Sequence, residues 1–385
     1  MPYKRRITTA ERGCLALFFL WLFWLPLPYG SNVPRAFLPL IAVPLFLCAA
    51  VAAIRLYAMR ERDSLLQPTR PWRIWSCGGA LLLLTAILQL IPFNASLLEF
   101  LSPDSSVIWR DASRVATLAG VSTANLHPVS VDPRATTFEF FRIAAILASF
   151  LLAALLIRTP ARRIALASTL CGAALFEALY GLREAALERY EIWGWKNTLI
   201  LDRVTGTFVN PNHFAHYVAI VLPMSLFLIA VAWRDAGPPD VPLPRRFASL
   251  LEHNALQVGF ASVAAVACVT SILLAQSRGA LLATGAGTMA VAAMLPGRRV
   301  GRIAFSAIAG AALLTAFILF LGPQRTVGRF VPNAFERETF VGRRIGIVAA
   351  ADLWGRFSIL GSGLGTFERV VSMEQRQDLE KIYHH

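Results

Sequence analysis

The chain has 385 residues, of which 56% are hydrophobic and only 16% charged, with a formal net charge of +14. A soluble protein carries charge on about a quarter of its residues, so a water-soluble globular enzyme is excluded and an all-α, polytopic helical membrane protein is expected. The positive excess does not indicate nucleic acid, because no basic stripe with interleaved aromatics is present.

Lys4, Arg5, Arg6 and Arg12 precede the first apolar run, at about 13–28. No small-x-small cleavage site follows and a second long run comes soon after, so a retained helix is expected rather than a signal peptide. Further runs lie at about 36–57, 74–92, 138–157, 163–182, 213–233, 255–275, 280–295 and 303–322. Together they predict about nine transmembrane helices, each near the ~20 residues that cross a bilayer. The loops alternate in character. Basic ones hold Arg60, Arg62, Arg70 and Arg73; Arg158, Arg162 and Arg163; Arg234, Arg245 and Arg246; and Arg298, Arg299 and Arg302. The positive-inside rule assigns these and the N-terminus to the cytoplasm of a bacterial inner membrane.

The opposite, exported side receives the turn at 29–35, loops at about 93–137 and 183–212, the turn at Gln276–Ser277, and everything from Gly322 onward. The expected organisation is a transmembrane domain over 1–322 and an exported segment over 323–385 that begins a large loop. Turn signals at Ser102-Pro103-Asp104, His127-Pro128 and Asp132-Pro133 predict short irregular structure in the first long loop, with room for one brief helix. Trp193 and Trp195 suit a membrane–water interface. Apolar residues at helical spacing from Arg343 to Phe357 predict a helix lying on the membrane surface. The following Gly361–Phe367, GSGLGTF, has G-x-G-x-G spacing without a preceding strand, so a dinucleotide loop is excluded and a flexible or close-packed turn is expected. The five cysteines lie within or beside apolar runs and form no CxxC pair. No metal-type ligand spacing occurs, and no cofactor is expected.

The stretch 201–219, LDRVTGTFVNPNHFAHYVA, breaks the apolar pattern. Asn210 is a good N-cap and Pro211 suits the first helical position. Such a start points unpaired N–H groups and the positive end of the helix dipole outward. Arg203 lies just upstream. Arg278, in QSRGALLA, begins another helix on the same side, with Ser277 able to cap it. Two readings of the arginines stand: each anchors a helix end by snorkelling to headgroups, or the pair, with two dipole ends, holds a doubly charged diphosphate. Asn212, His213 and His216 on the first turn are substrate contacts or interfacial packing residues. Glu177, inside a span, either pairs with a cation such as Arg142 or Arg183 or takes part in function.

GTFVNPNHFAHY, then QSRGALLA, then GRRIGIVAAADLWGRFSILGSGLGTF together resemble the O-antigen ligase and polymerase superfamily of bacterial GT-C-type membrane glycosyltransferases. The resemblance runs through nearly the whole chain. It implies transfer of a glycan from undecaprenyl diphosphate to an acceptor hydroxyl, on lipid A-core or on another glycan, at the periplasmic face, without metal or nucleotide sugar. It implies that Arg203 and Arg278 hold the diphosphate; Asn210, Asn212, His213 and Glu177 are candidate substrate contacts by their own positions, not by the resemblance. It also implies an essential histidine, acting as base, in a His-Asn motif shortly after GLGTF. The chain ends at His384 and His385, where that motif arrives, and the family's later helices lie beyond, so a C-terminally truncated form, inactive by itself, is expected. A polysaccharide polymerase or protein O-glycosyltransferase differs only in acceptor. A transporter of an anionic lipid-linked substrate is the reading from another class. It predicts broken helices near the midplane, whereas the charge here lies at one face, apart from Glu177.

Overall fold

The computed structural model describes residues 9–31, 33–60, 70–196, 203–238, 240–294, 346–357 and 360–372. The helices are α1 (Thr9–Trp24), α2 (Pro34–Arg60), α3 (Arg70–Leu90), α4 (Ala95–Leu101), α5 (Pro103–Leu118), α6 (Pro133–Leu156), α7 (Pro160–Ala186), α8 (Pro211–Asp235), α9 (Leu243–Ala275) and α10 (Arg278–Met294). Residues 346–356 and 367–372 are also helical. Five of these helices start on a proline, whose fixed φ and missing N–H suit the first helical position. Strand among the described residues is limited to two short antiparallel pairs, Pro92–Phe93 with His127–Pro128 and Glu191–Ile192 with Trp195–Lys196.

The protein is mainly helical, and α2, α6, α7, α8 and α9 are each long and apolar enough to cross a membrane. They coincide with five of the apolar runs. Three more runs correspond to α1, α3 and α10, where the apolar helix is 17 residues or shorter. The run at 303–322 lies outside the described residues. Two elements differ from expectation. The first long loop, over about 93–137, is more helical than expected: it holds α4, capped by the Asn94 side chain accepting from Leu97 N–H, and the 16-residue α5. Ser102-Pro103-Asp104 is therefore a helix start, with Pro103 in the first turn and Asp104 beside the positive dipole end. In addition, α9 begins at Leu243, so Arg245 and Arg246 belong to its first turns rather than to a loop.

The chain divides into two compact units. The first comprises Met1–Ile54 and Leu151–Val327. Its main core is built where α7, α8 and α9 meet: Cys171 and Ala174 from α7, Phe214, Val218 and Leu222 from α8, and Ala264, Cys268 and Ile272 from α9. The α7 and α9 faces are mostly small residues, which lets membrane helices approach closely and gain van der Waals contact. A satellite cluster joins Phe18 and Trp21 of α1 to Leu47 and Val51 of α2 and to Leu152 and Leu156. The hairpin after α7 is pinned back onto it. The Tyr180 hydroxyl donates to the Glu191 carbonyl and accepts from Trp193 N–H, and the Trp193 indole donates to the Leu27 carbonyl.

The second unit comprises Arg55–Phe150 and Gly328–His385. Its centre is the GSGLGTF turn, which is close-packed. Gln89, 4% exposed, grips the turn at two points: its amide donates to the Leu360 carbonyl (2.6 Å) and its oxygen accepts from Leu364 N–H (2.9 Å). Thr136 donates to the Leu364 carbonyl, and Val131 N–H donates to the Ser362 carbonyl. Gly363 has φ +111°, and a Cβ there would fall 2.5 Å from Ser130 Oγ, so only glycine fits. In the helix before this turn, Leu353 and Phe357 pack with Val370, while Ile347 and Trp354 are exposed.

Candidate functional site

The non-helical segment 203–210 lies in the first unit and is tied to α7, α8 and α9. At one end, Arg203 lies against the C-terminus of α9. Its Nε and Nη2 donate to the Ala275 carbonyl at 2.8 and 2.5 Å, and Nη2 also reaches the Gln276 carbonyl (3.3 Å) and Asn212 Oδ1 (3.2 Å). A cation at a helix C-terminus opposes the negative dipole end and satisfies carbonyls that have no partner in the helix. Val204 N–H adds a bond to the Leu274 carbonyl at 3.4 Å.

In its middle, the segment is held by Glu177, which is fully buried. The carboxylate accepts from Thr207 N–H at 2.8 Å and from Thr207 Oγ1 at 2.7 Å. The same hydroxyl lies 2.9 Å from the Pro26 carbonyl. The two arginines considered as partners for Glu177 are engaged elsewhere, Arg142 with Glu139 and Arg183 with Glu184. A carboxylate in an apolar core is tolerated when its oxygens are hydrogen-bonded, and Thr207 supplies that bonding. Gly206 makes the approach possible: its φ is +55°, and a Cβ would sit 2.6 Å from Glu177 Oε2 and 2.7 Å from the Phe214 ring.

At the other end, Asn210 caps α8 by accepting from Asn212 N–H at 2.8 Å, with Pro211 in the first turn. Asn212 therefore works twice, its side chain accepting from Arg203 and its carbonyl from His216 Nδ1–H at 2.6 Å. A carbonyl only accepts, so Nδ1 carries the proton and Nε2 presents its lone pair in the neutral ring. That Nε2 faces α10: a Cβ at Gly279 would lie 3.1 Å from it. Between α9 and α10, Gln276 takes the left-handed conformation, φ +53°, and the Ser277 hydroxyl accepts from Ala280 N–H at 3.4 Å.

The structure thus brings together Arg203, Asn210, Asn212, His216 and the first turns of α8 and α10. Arg278 is the first residue of α10, and its backbone alone is described. His213 is exposed on the same first turn of α8. Glu177 bonds the underside of the segment rather than the open end. His384 and His385 lie outside the described residues. Each helix N-terminus offers about half a positive charge, and α9 brings about half a negative charge that the Arg203 guanidinium outweighs. The cluster is therefore electropositive and rich in N–H donors, suited to an anion. Thr207 is the residue that sequence reasoning missed. The TGT triplet before the Asn210 cap hinted at a special backbone, but nothing local identified Glu177 as its partner. Compared with family models, curated proteins and solved structures, the chain matches none.

Proposed function

We propose that this protein is a glycosyltransferase of the inner membrane, similar to O-antigen ligases, that takes a glycan from undecaprenyl diphosphate and delivers it to an acceptor hydroxyl of lipid A-core on the periplasmic side. The observation that carries the reading is the approach of two capped helix N-termini, those of α8 and α10 at His216 and Gly279, with Arg203 bonded to the first of them through Asn212. A diphosphate needs several N–H donors and positive charge at one point in a low-dielectric setting, and this cluster offers both. In this reading the bond between the sugar anomeric carbon and the diphosphate oxygen breaks. The acceptor oxygen forms the new bond, its proton passes to a base, and the departing diphosphate is stabilised by the field of the helix ends and arginines. His384 or His385 is the base that the resemblance implies.

Arg203 acts chiefly by holding the end of α9 to the start of α8, because its Nε and Nη2 donate to the Ala275 and Gln276 carbonyls and to Asn212. Arg278 is then the arginine that grips the diphosphate directly. The reading includes about nine spans, a cytoplasmic N-terminus, and a periplasmic position for the paired helix ends. It is tested by titrating undecaprenyl diphosphate into the protein in phosphatidylcholine nanodiscs, with undecaprenol as control. Binding of the diphosphate alone is expected, weakened about tenfold or more by Arg278→Ala, the scale of one lost charge-assisted contact. Equal binding of undecaprenol, or unchanged affinity in both Arg278→Ala and Arg203→Ala, would overturn it.

A further inference from the structure

The Thr207 hydroxyl stands between two short oxygen–oxygen contacts and has one hydrogen to fill them. Its Oγ1 lies 2.7 Å from Glu177 Oε1 and 2.9 Å from the Pro26 carbonyl, and both distances suit an O–H···O bond. A carbonyl accepts, an ionised carboxylate accepts, and a hydroxyl donates once. With Glu177 ionised, the hydrogen goes to the carboxylate, and Thr207 and Pro26 then face each other through lone pairs. Bulk water does not reach the contact, because Glu177 and Thr207 are both 0% exposed and Pro26 is buried. The charged groups close by in the chain are bonded elsewhere, Arg183 to Glu184 and Arg203 to the end of α9. The other titratable groups around it are Tyr217 on α8, whose buried hydroxyl makes no hydrogen bond, and the thiols of Cys171 on α7 and Cys268 on α9. All three are of types that are neutral near pH 7.

We infer that Glu177 takes up a proton and that this proton closes a three-part clasp. Glu177 Oε1–H donates to Thr207 Oγ1, the Thr207 hydrogen passes to the Pro26 carbonyl, and Oε2 still accepts from Thr207 N–H. The proton comes from water, and each contact then holds one hydrogen. The uptake also removes a charge from an apolar core, where an ion is costly. In the neutral form α7, the segment 203–210 and the turn after α1 are joined through one hydroxyl. In the ionised form Glu177 keeps Thr207, and the turn is released from it. The turn is otherwise self-contained, with the Pro26 carbonyl accepting from Gly30 N–H at 2.8 Å, and Gly30 packs against the Phe208 ring. Glu177 is thus a proton-dependent positioning residue for the segment that carries Arg203 and the Asn210 cap. The clasp stands on the geometry of these three residues, whatever binds at the helix ends.

The test is infrared spectroscopy of the full chain in phosphatidylcholine nanodiscs, as wild type and as Glu177→Gln. Exposed carboxyls are largely ionised above about pH 5, so a carboxylic acid C=O band above that pH reports a buried acid. The wild type is expected to show a band that Glu177→Gln lacks, and to lose it as pH rises. Thr207→Val keeps Glu177 but removes the oxygen to which it donates, and is expected to shift the band. Thermal unfolding gives a second readout. Glutamine reproduces the pattern of the neutral acid at every pH, its amide donating to Thr207 Oγ1 and its oxygen accepting from Thr207 N–H. The folded wild type holds a proton that the unfolded chain has released above about pH 4. Its stability relative to Glu177→Gln should therefore fall with rising pH until the band is gone, and stay level beyond. Absence of the band everywhere above about pH 5, a band that Thr207→Val leaves unmoved, or a stability difference that does not change with pH overturns the inference.

Discussion

Glu177 and Thr207 show what a single pair does in this fold. The carboxylate accepts both polar hydrogens of Thr207 inside a core of otherwise apolar residues. Replacing Glu177 by Leu leaves a buried N–H without a partner, a loss of about 1–3 kcal/mol. Thermal unfolding in detergent should show a clear fall in midpoint for Glu177→Leu. Glu177→Gln should fall less, because its amide oxygen still accepts one bond. Equal midpoints for wild type and Glu177→Leu would refute the anchoring role. Gly206→Ala should be at least as damaging, since it combines a left-handed backbone with a Cβ 2.6 Å from the carboxylate. Glu177 stood out in the sequence as an acid within an apolar run, but its partner did not, because the two meet only when 203–210 folds across α7.

At the scale of elements, α8 and α9 run antiparallel and each is closed at its C-terminus by an arginine from outside it. Arg203 binds the carbonyls at the end of α9. At the opposite end, Arg246 of α9 donates to the Trp233 carbonyl of α8 (3.0 Å) and lies over the Trp233 ring, 4.4 Å from its centroid. Both use the planar, multi-donor guanidinium, which an ammonium does not reproduce. Arg203→Lys should therefore lower the unfolding midpoint although the charge is kept, and Arg246→Lys likewise. A lysine variant as stable as the wild type would show that charge alone suffices. In the second unit, Gln89 grips the 360–364 turn through two bonds. Gln89→Leu should speed hydrogen exchange at Leu364 N–H by roughly 5- to 100-fold, the range for an orphaned buried donor; unchanged exchange would show that the turn holds without the clamp. The helix caps at Asn210 and Ser277 were legible because capping is local. The clamps were not, because each joins positions far apart in sequence.

For the molecule as a whole, the prediction concerns sidedness. With the native cysteines replaced by alanine, a membrane-impermeant maleimide should label Glu188→Cys, exposed after α7, in intact cells. Asp240→Cys, exposed between α8 and α9, should react only after permeabilisation. The reverse pattern would place the paired helix ends in the cytoplasm and remove a periplasmic reaction from consideration. The sequence by itself determined the helical class and five helices long and apolar enough to cross a membrane, because apolar length is a property of composition that any bilayer reads in the same way. It also determined the start of α8, because Asn210 and Pro211 act on their immediate neighbours. Only the tertiary structure decided that Arg203 closes α9, that Glu177 holds Thr207, and that the first turn of α8 meets that of α10 at His216 and Gly279. Those contacts arise from packing between distant segments, and no local pattern of residues records which distant segment will arrive.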